Sequence, residues 1–282
     1  MIRTPHGATL LALFALGLAG CGGAPRRAAA PPARPEGPAR PAEQQPATVG
    51  PAARPGDDQL LALPDAVPAT EPRARLGNAA FYEVYGQRYT VLGTARGFVE
   101  RGVASWYGPD FHGVHTSTGE PYDMYSMTAA HRTLPLPAYA RVTNLSNGRA
   151  VTVRINDRGP FKSNRIIDLS YAAALKLDMV RAGTTMVEIQ ALEPGGTAPP
   201  EPPHAVVLYA QVGAFAVQSN ALRLRERLAE AGIGPLLVSG QLDGGRTLYR
   251  VRVGPIDSVA AYDELVERLH SNGVAAVTLA PD

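Results

Sequence analysis

Three polar stretches in the middle of the chain hold side chains that folding alone does not require. The first runs from Trp106-Tyr107-Gly108 through Phe111-His112-Gly113 and Thr116-Ser117-Thr118-Gly119-Glu120 to Tyr122-Asp123-Met124. The second contains His131 and ends in Leu134-Pro135-Leu136-Pro137. The third is Asn156-Asp157-Arg158-Gly159-Pro160-Phe161, followed by Arg165 and Asp168. Carboxyls such as Glu120 and Asp157 can donate and then accept a proton, provided their surroundings bring the pKa toward the working pH. Each feature also has a plainer explanation. Asn and Asp after a strand favour turns by bonding their own backbone, and a lone His131 fits a hydrogen-bonded structural histidine. Trp106, Tyr107 and Tyr122, taken singly, fit a core as well as a cleft wall. Arg154 and Arg158 flank Asp157; a guanidinium close to that carboxyl would lower its pKa, and the sequence leaves their direction open. His112, His115 and His131 match no standard metal-ligand spacing, and one cysteine excludes a disulfide framework or a cysteine-rich metal site. Neither metal nor cofactor is expected.

The elements that must position these residues fall into two blocks. Residues 80–192 carry short apolar runs between turn signals, at 84–92, 102–107, 140–144, 150–156 and 186–191. One helix is expected at 170–177, with Ser170 as N-cap before an Ala-rich run. A strand-dominated block with one helix predicts a small closed barrel. Residues 205–282 read β-α-β-β-α-β, a small α+β unit of ferredoxin-like order. Its strands are expected at 206–212, 235–239, 248–253 and 275–279, and its helices from a Ser219 N-cap to Ala231 and over 259–271. Alternation puts Tyr209 with Gln211, and Arg250 with Arg252, on one sheet face each.

The rest of the chain is punctuation and targeting. Of 26 prolines, 12 lie between Cys21 and Leu76 and 5 between Glu193 and His204. These stretches read as a Pro/Ala-rich tether at 21–79 and a linker at 193–204, since such composition favours extended chain over a core. Arg3 and the apolar run Thr9–Ala19 resemble a signal peptide over 1–20, too short to span a bilayer. The run ends in Leu18-Ala19-Gly20-Cys21, which resembles a bacterial lipobox; an ordinary signal peptide is the plainer alternative. Lipidation at Cys21 would supply the multiple acyl chains that stable anchoring needs, and Gly22 after the cysteine implies retention at the outer membrane. A net charge of +2 gives no basic patch, so nucleic acid is not an expected partner.

In their order, GVASWYG, FHG, TSTGE, YDM, TAAH, TLPLP, VRINDRGPF and RIIDLSYAA resemble the six-stranded double-psi β-barrel of the rare lipoprotein A family. The resemblance implies lytic transglycosylation of peptidoglycan glycan strands stripped of stem peptides. It implies Asp157 as catalytic acid/base, Glu120 as a second essential carboxylate and His131 as a cleft residue supporting them. Trp106, Tyr107, Tyr122 and Arg158 then become candidates for the glycan cleft. Ser117-Thr118 departs from the Ala-Asn often found before Gly-Glu, and this is expected to alter loop detail, not chemistry. Gln211-Val-Gly213-Ala-Phe215 and Tyr249-Arg250-Val-Arg252-Val-Gly254-Pro255 resemble a SPOR domain, which implies glycan binding at the septum through Gln211, Phe215, Arg250 and Tyr209.

The chemistry agrees with the resemblance. Cleaving a glycosidic bond needs an acid for the leaving oxygen and stabilisation of an oxocarbenium-like centre. A lytic transglycosylase uses the muramyl 6-hydroxyl as an intramolecular nucleophile, so one carboxyl can act first as acid and then as base. The alternative is a non-catalytic, expansin-like septal wall protein that binds glycan without cutting it.

Overall fold

The computed structural model describes residues 55–162, 164–195 and 207–281. The signal peptide, Cys21, the first part of the tether and most of the 193–204 linker lie outside the described residues. The described chain begins with α1 (Asp57–Leu61) and a hairpin of β1 (Phe81–Val84) and β2 (Gln87–Thr90). It continues with β3 (Val99–Trp106), β4 (Thr128–His131), β5 (Ala138–Asn144), β6 (Ala150–Asp157), β7 (Arg165–Leu169), α2 (Tyr171–Lys176) and β8 (Thr185–Leu192). Six strands close into a barrel in the order β3-β7-β4-β6-β5-β8, with β3/β7 and β4/β6 parallel and the other pairs antiparallel. Val142, Val153, Ile155, Ile167, Leu169 and Ile189 fill its interior and are fully buried.

The expected barrel is present, and two of its strands, β4 and β7, lie outside the apolar runs of the sequence. β4 and β7 are only four and five residues long, and β4 (Thr-Ala-Ala-His) carries no alternating apolar pattern. Pairing on both sides makes it a strand; local propensity does not. The single strand expected at 84–92 is instead a tight hairpin. Tyr85 and Gly86 both have positive φ (51° and 77°), the backbone that a two-residue hairpin turn demands. Helix α2 forms as expected, with the Ser170 hydroxyl accepting from Ala173 N and three buried alanines packed on the barrel.

The tether ends earlier than composition suggested. From residue 57 the chain is a strap packed on the barrel. Leu60 is buried in the core. Asp65 accepts from Thr152 N (2.7 Å) and pairs with Lys176. Ala74 N donates to Leu136 O, and the Asn78 amide bonds both Leu136 N and Leu136 O. Prolines at 64, 68 and 72 suit an extended strap as well as a free tether; the polar and apolar ties between them decide which one forms.

The second unit comprises β9 (Leu208–Phe215), α3 (Gln218–Glu230), β10 (Leu236–Asp243), β11 (Arg246–Ile256), α4 (Val259–Ser271) and β12 (Thr278–Pro281). Its antiparallel sheet has the order β10-β11-β9-β12, the expected ferredoxin-like arrangement. Ala210, Val212, Val251 and Val253 meet Leu228 and Leu269 of the helices. Helix α4 is capped by Ser258. Helix α3 begins at Gln218, one residue before the expected Ser219 cap, and has no side-chain cap.

Candidate active site

Strand register gathers the chemistry into one row. Ser105 on β3 pairs with Asp168 on β7, Asp168 pairs with Ala130 on β4, and Ala130 pairs with Asp157 on β6. Ala130 is thus flanked by one aspartate on each side, about 4.8 Å away per strand step. Ala130 itself is fully buried. Gly159 closes over this row. It has φ +143°, and a Cβ there would meet Ala130 Cβ and the Tyr107 hydroxyl at 3.7 Å, with Asp168 Oδ2 at 3.9 Å.

The two aspartates are held differently. Asp157 Oδ1 accepts three donors: Ser117 N (2.8 Å), Ser117 Oγ (2.6 Å) and Arg158 N (2.7 Å). That oxygen is saturated as an acceptor, so a proton on this carboxyl sits on Oδ2. Oδ2 faces the Tyr107 hydroxyl at 3.5 Å. Asp168 Oδ1 accepts a 2.5 Å bond from Ser105 Oγ. Burial pushes the Asp168 carboxyl above the usual range and the nearby Asp157 adds to this, against the Ser105 bond and Arg165.

Glu120 reaches the same site from its loop. Arg154 grips it with two bonds, Nη1 to Oε2 (2.8 Å) and Nη2 to Oε1 (3.1 Å), and Asn156 Nδ2 donates to Oε2 (3.2 Å). The hydrogen bonds from Arg154 hold the Glu120 carboxyl below the usual range despite partial burial. Glu120 is therefore an ionised, charge-bearing group, and the residue before Asp157 ties it to the row.

Other sequence-predicted residues lie elsewhere. His131 is 1% exposed, and its side chain does not line the cleft. Its Nδ1 accepts from Thr133 N and Leu134 N, which leaves the proton on Nε2 to bond Glu100 (3.1 Å). Burial keeps it neutral by lowering its pKa, with Glu100 opposing. Its contribution to the site comes through the backbone, because His131 O accepts from Arg158 Nη1 (3.0 Å). The Arg158 guanidinium points inward, toward the carbonyls of His131, Leu134 and Gly77, so it presents no cation to a glycan. Its backbone N–H is the part that serves Asp157. Tyr107 touches the row, while buried Tyr122 supports it edge-on at 5.0 Å. Trp106 packs edge-on against Tyr171 at 5.5 Å. His112, His115 and His131 bond Met124 N, Gly119 O and Glu100 respectively and do not converge.

In the second unit, Tyr209 and Gln211 share the sheet face away from the buried Ala210 and Val212. A register shift between Val251 and Arg252 sets Arg252 opposite Gln211 and Arg250 opposite Ala214. Arg250 is engaged by Gln241 (2.8 Å) and Asp243 (3.0 Å) of β10. The same shift pairs Phe215 with Tyr249 and packs it against the helix-side core with Leu224, away from the Gln211 face. Strict alternation could not foresee this, because a bulge adds one residue to β9.

A family model described as "Lytic transglycolase" matches residues 99–189, and one described as "SPOR domain" matches 207–279. Endolytic peptidoglycan transglycosylase RlpA of Vibrio cholerae is 41% identical, over 75% of this chain and 80% of that protein. RlpA of Pseudomonas aeruginosa is 37% identical, over 72% and 76%. The chain belongs to the RlpA family. The crystal structure of the SPOR domain of Pseudomonas aeruginosa RlpA aligns at 32% identity over 26% of this chain and 96% of that one, with a TM-score of 0.25.

Three functional candidates escaped the sequence reading of this RlpA-family chain. Asp168 reads locally as one more polar residue, and nothing near it in sequence reveals that it pairs across Ala130 from Asp157. Ser117, expected to alter only loop detail, directly bonds the Asp157 carboxyl. Glu71 of the strap holds Arg154 and lies outside the matched residues 99–189.

Proposed function

We propose that this protein is an endolytic lytic transglycosylase that cuts the β-1,4 bond between N-acetylmuramic acid and N-acetylglucosamine. The Ser105-Asp168-Ala130-Asp157 row carries the reading: it presents two half-buried carboxyls side by side, one of them raised in pKa, with a third carboxylate nearby. Asp157 Oδ2 protonates the leaving O4 as the C1–O4 bond breaks. The muramyl 6-hydroxyl then attacks C1 and returns its proton to Asp157, so no water is consumed. Burial raises the Asp168 pKa, and the ionised Glu120 offsets positive charge developing at the anomeric carbon. Tyr107 limits solvent at Asp157 Oδ2.

The substrate is peptide-free glycan at the division septum, to which the SPOR unit directs the enzyme through the Tyr209–Gln211 face. Lipidation of Cys21 anchors the protein on the periplasmic side of the outer membrane, and the Pro-rich segment up to the strap spans toward the wall. Incubating the mature protein with peptide-free strands in ¹⁸O-water tests the chemistry. The expected products end in 1,6-anhydromuramyl residues without label. Labelled reducing ends would show a hydrolase, and intact strands that co-sediment with the protein would favour the non-catalytic wall-binding alternative.

A further inference from the structure

Arg154 sits on β6, three residues before Asp157, and its guanidinium serves two carboxylates at once. Nε and Nη2 bond Glu71 Oε1 (2.9 Å) and Oε2 (2.8 Å), while Nη1 and Nη2 bond the two oxygens of Glu120. Glu71 is fixed in turn by the Tyr139 hydroxyl on β5 (2.5 Å). The three formal charges sum to −1. A lone Arg154–Glu120 pair would sum to zero, and a bidentate pair of that geometry would present little field to a substrate. The Glu120 side chain is 46% exposed, more open than Glu71 or Arg154, so the surplus charge lies toward the open side of the site.

We infer that Glu71, from the strap that precedes the matched barrel residues, is a positioning residue of the cleft. By occupying one edge of Arg154 it orients the guanidinium and leaves Glu120 with unneutralised negative charge for the oxocarbenium-like centre. The inference rests on the transglycosylase reading for its catalytic consequence. The charge partition itself stands on geometry: the Arg154 hydrogen bonds lower the Glu120 pKa, and repulsion from Glu71 partly opposes them.

The test uses the full mature chain and peptide-free strands. Glu71→Gln keeps the shape and removes the charge; kcat is expected to fall about tenfold, with KM within about twofold, as for loss of one electrostatic contact made in the transition state. Glu71→Asp retains the charge and should keep most of kcat. In Glu71→Gln/Arg154→Gln the trio returns to −1, so kcat should rise above that of Glu71→Gln alone. Unchanged kcat in Glu71→Gln, or a double variant whose losses simply multiply, would overturn the inference in favour of a purely structural tie. A readout independent of turnover is the Glu120 carboxyl titration followed by NMR. Its midpoint should move down in Glu71→Gln, because a like charge has been removed. A stationary midpoint would overturn the charge partition even if the protein cuts glycan. A moved midpoint in a protein that cuts nothing would instead place the fault in the transglycosylase reading.

Discussion

Asp168 lies across Ala130 from Asp157, Glu120 is tied to Asn156 just before it, and the fold treats the two carboxyls in opposite ways. Asp168 stands on a barrel strand, walled by β3 and β4, with one hydroxyl as its close partner; desolvation dominates and its pKa rises. Glu120 stands on a loop, gripped by a guanidinium and an amide; its pKa falls. The pKa values of two carboxyls of similar intrinsic acidity are thereby pushed apart, one up and one down. Such divergence is how neighbouring acids take different catalytic roles. Rigid strands supply the first environment, and a long-range ion pair supplies the second.

The largest expected effect falls on Asp157. Asp157→Asn keeps an acceptor for Ser117 and Arg158 N but cannot cycle a proton. Formation of anhydromuramyl ends should drop by at least about 10³-fold with the barrel still folded. Activity within tenfold of the native protein would move the acid/base role to Asp168.

Next is Asp168→Asn, which sharpens the contrast because rate and stability should move oppositely. Turnover should fall about 10²-fold. The folded pKa of Asp168 lies above its unfolded value, so this group binds its proton more tightly in the native state. It costs no stability below the unfolded pKa, and the cost grows as pH rises through the folded pKa. The variant should therefore melt higher than the native protein at pH 7, by about 2–4 °C per 1 kcal/mol relieved, and the gain should vanish near pH 3. A lower Tm at pH 7 would show that the Ser105 bond outweighs desolvation.

Arg154→Gln breaks the other half of the comparison. Glu71 and Glu120 have folded pKa values below their unfolded ones, so they add stability above the unfolded pKa that is lost as pH falls through the folded pKa. Removing Arg154 should lower Tm at pH 7 by a few degrees, with the difference shrinking at acid pH; both carboxylates are partly exposed, which limits the effect. A pH-independent loss of Tm would mean that packing of the arginine stem, not its charge, is what matters.

The smallest effect is expected from Ser117→Ala, which removes one of three donors to Asp157 Oδ1. About a three- to tenfold change in kcat is expected, in line with one net hydrogen bond to a charged group. An unchanged pH–rate profile would return Ser117 to loop detail.

The sequence alone determined the two folded units and the family, and singled out Glu120 and Asp157 as candidates, because ordered local motifs such as VRINDRGPF and TSTGE carry that information. It also set the ferredoxin-like element order, since helical and strand periods change visibly along 205–282. Only the tertiary structure decided the rest. Asp168 joins Asp157 because β4, a strand with no apolar pattern of its own, is pinned between β6 and β7. His131 and Arg158 turn away from the cleft because buried nitrogen donors and acceptors must find partners, and those partners are backbone carbonyls, the N–H groups of Thr133 and Leu134, and Glu100. Phe215 faces the helices because one extra residue in β9 inverts the alternation. The strap leaves the tether at residue 57 because Leu60, Asp65, Glu71 and Asn78 each meet a partner far along the chain. Local composition reports what a segment can do by itself; pairing, register and long-range charge are properties of the closed barrel.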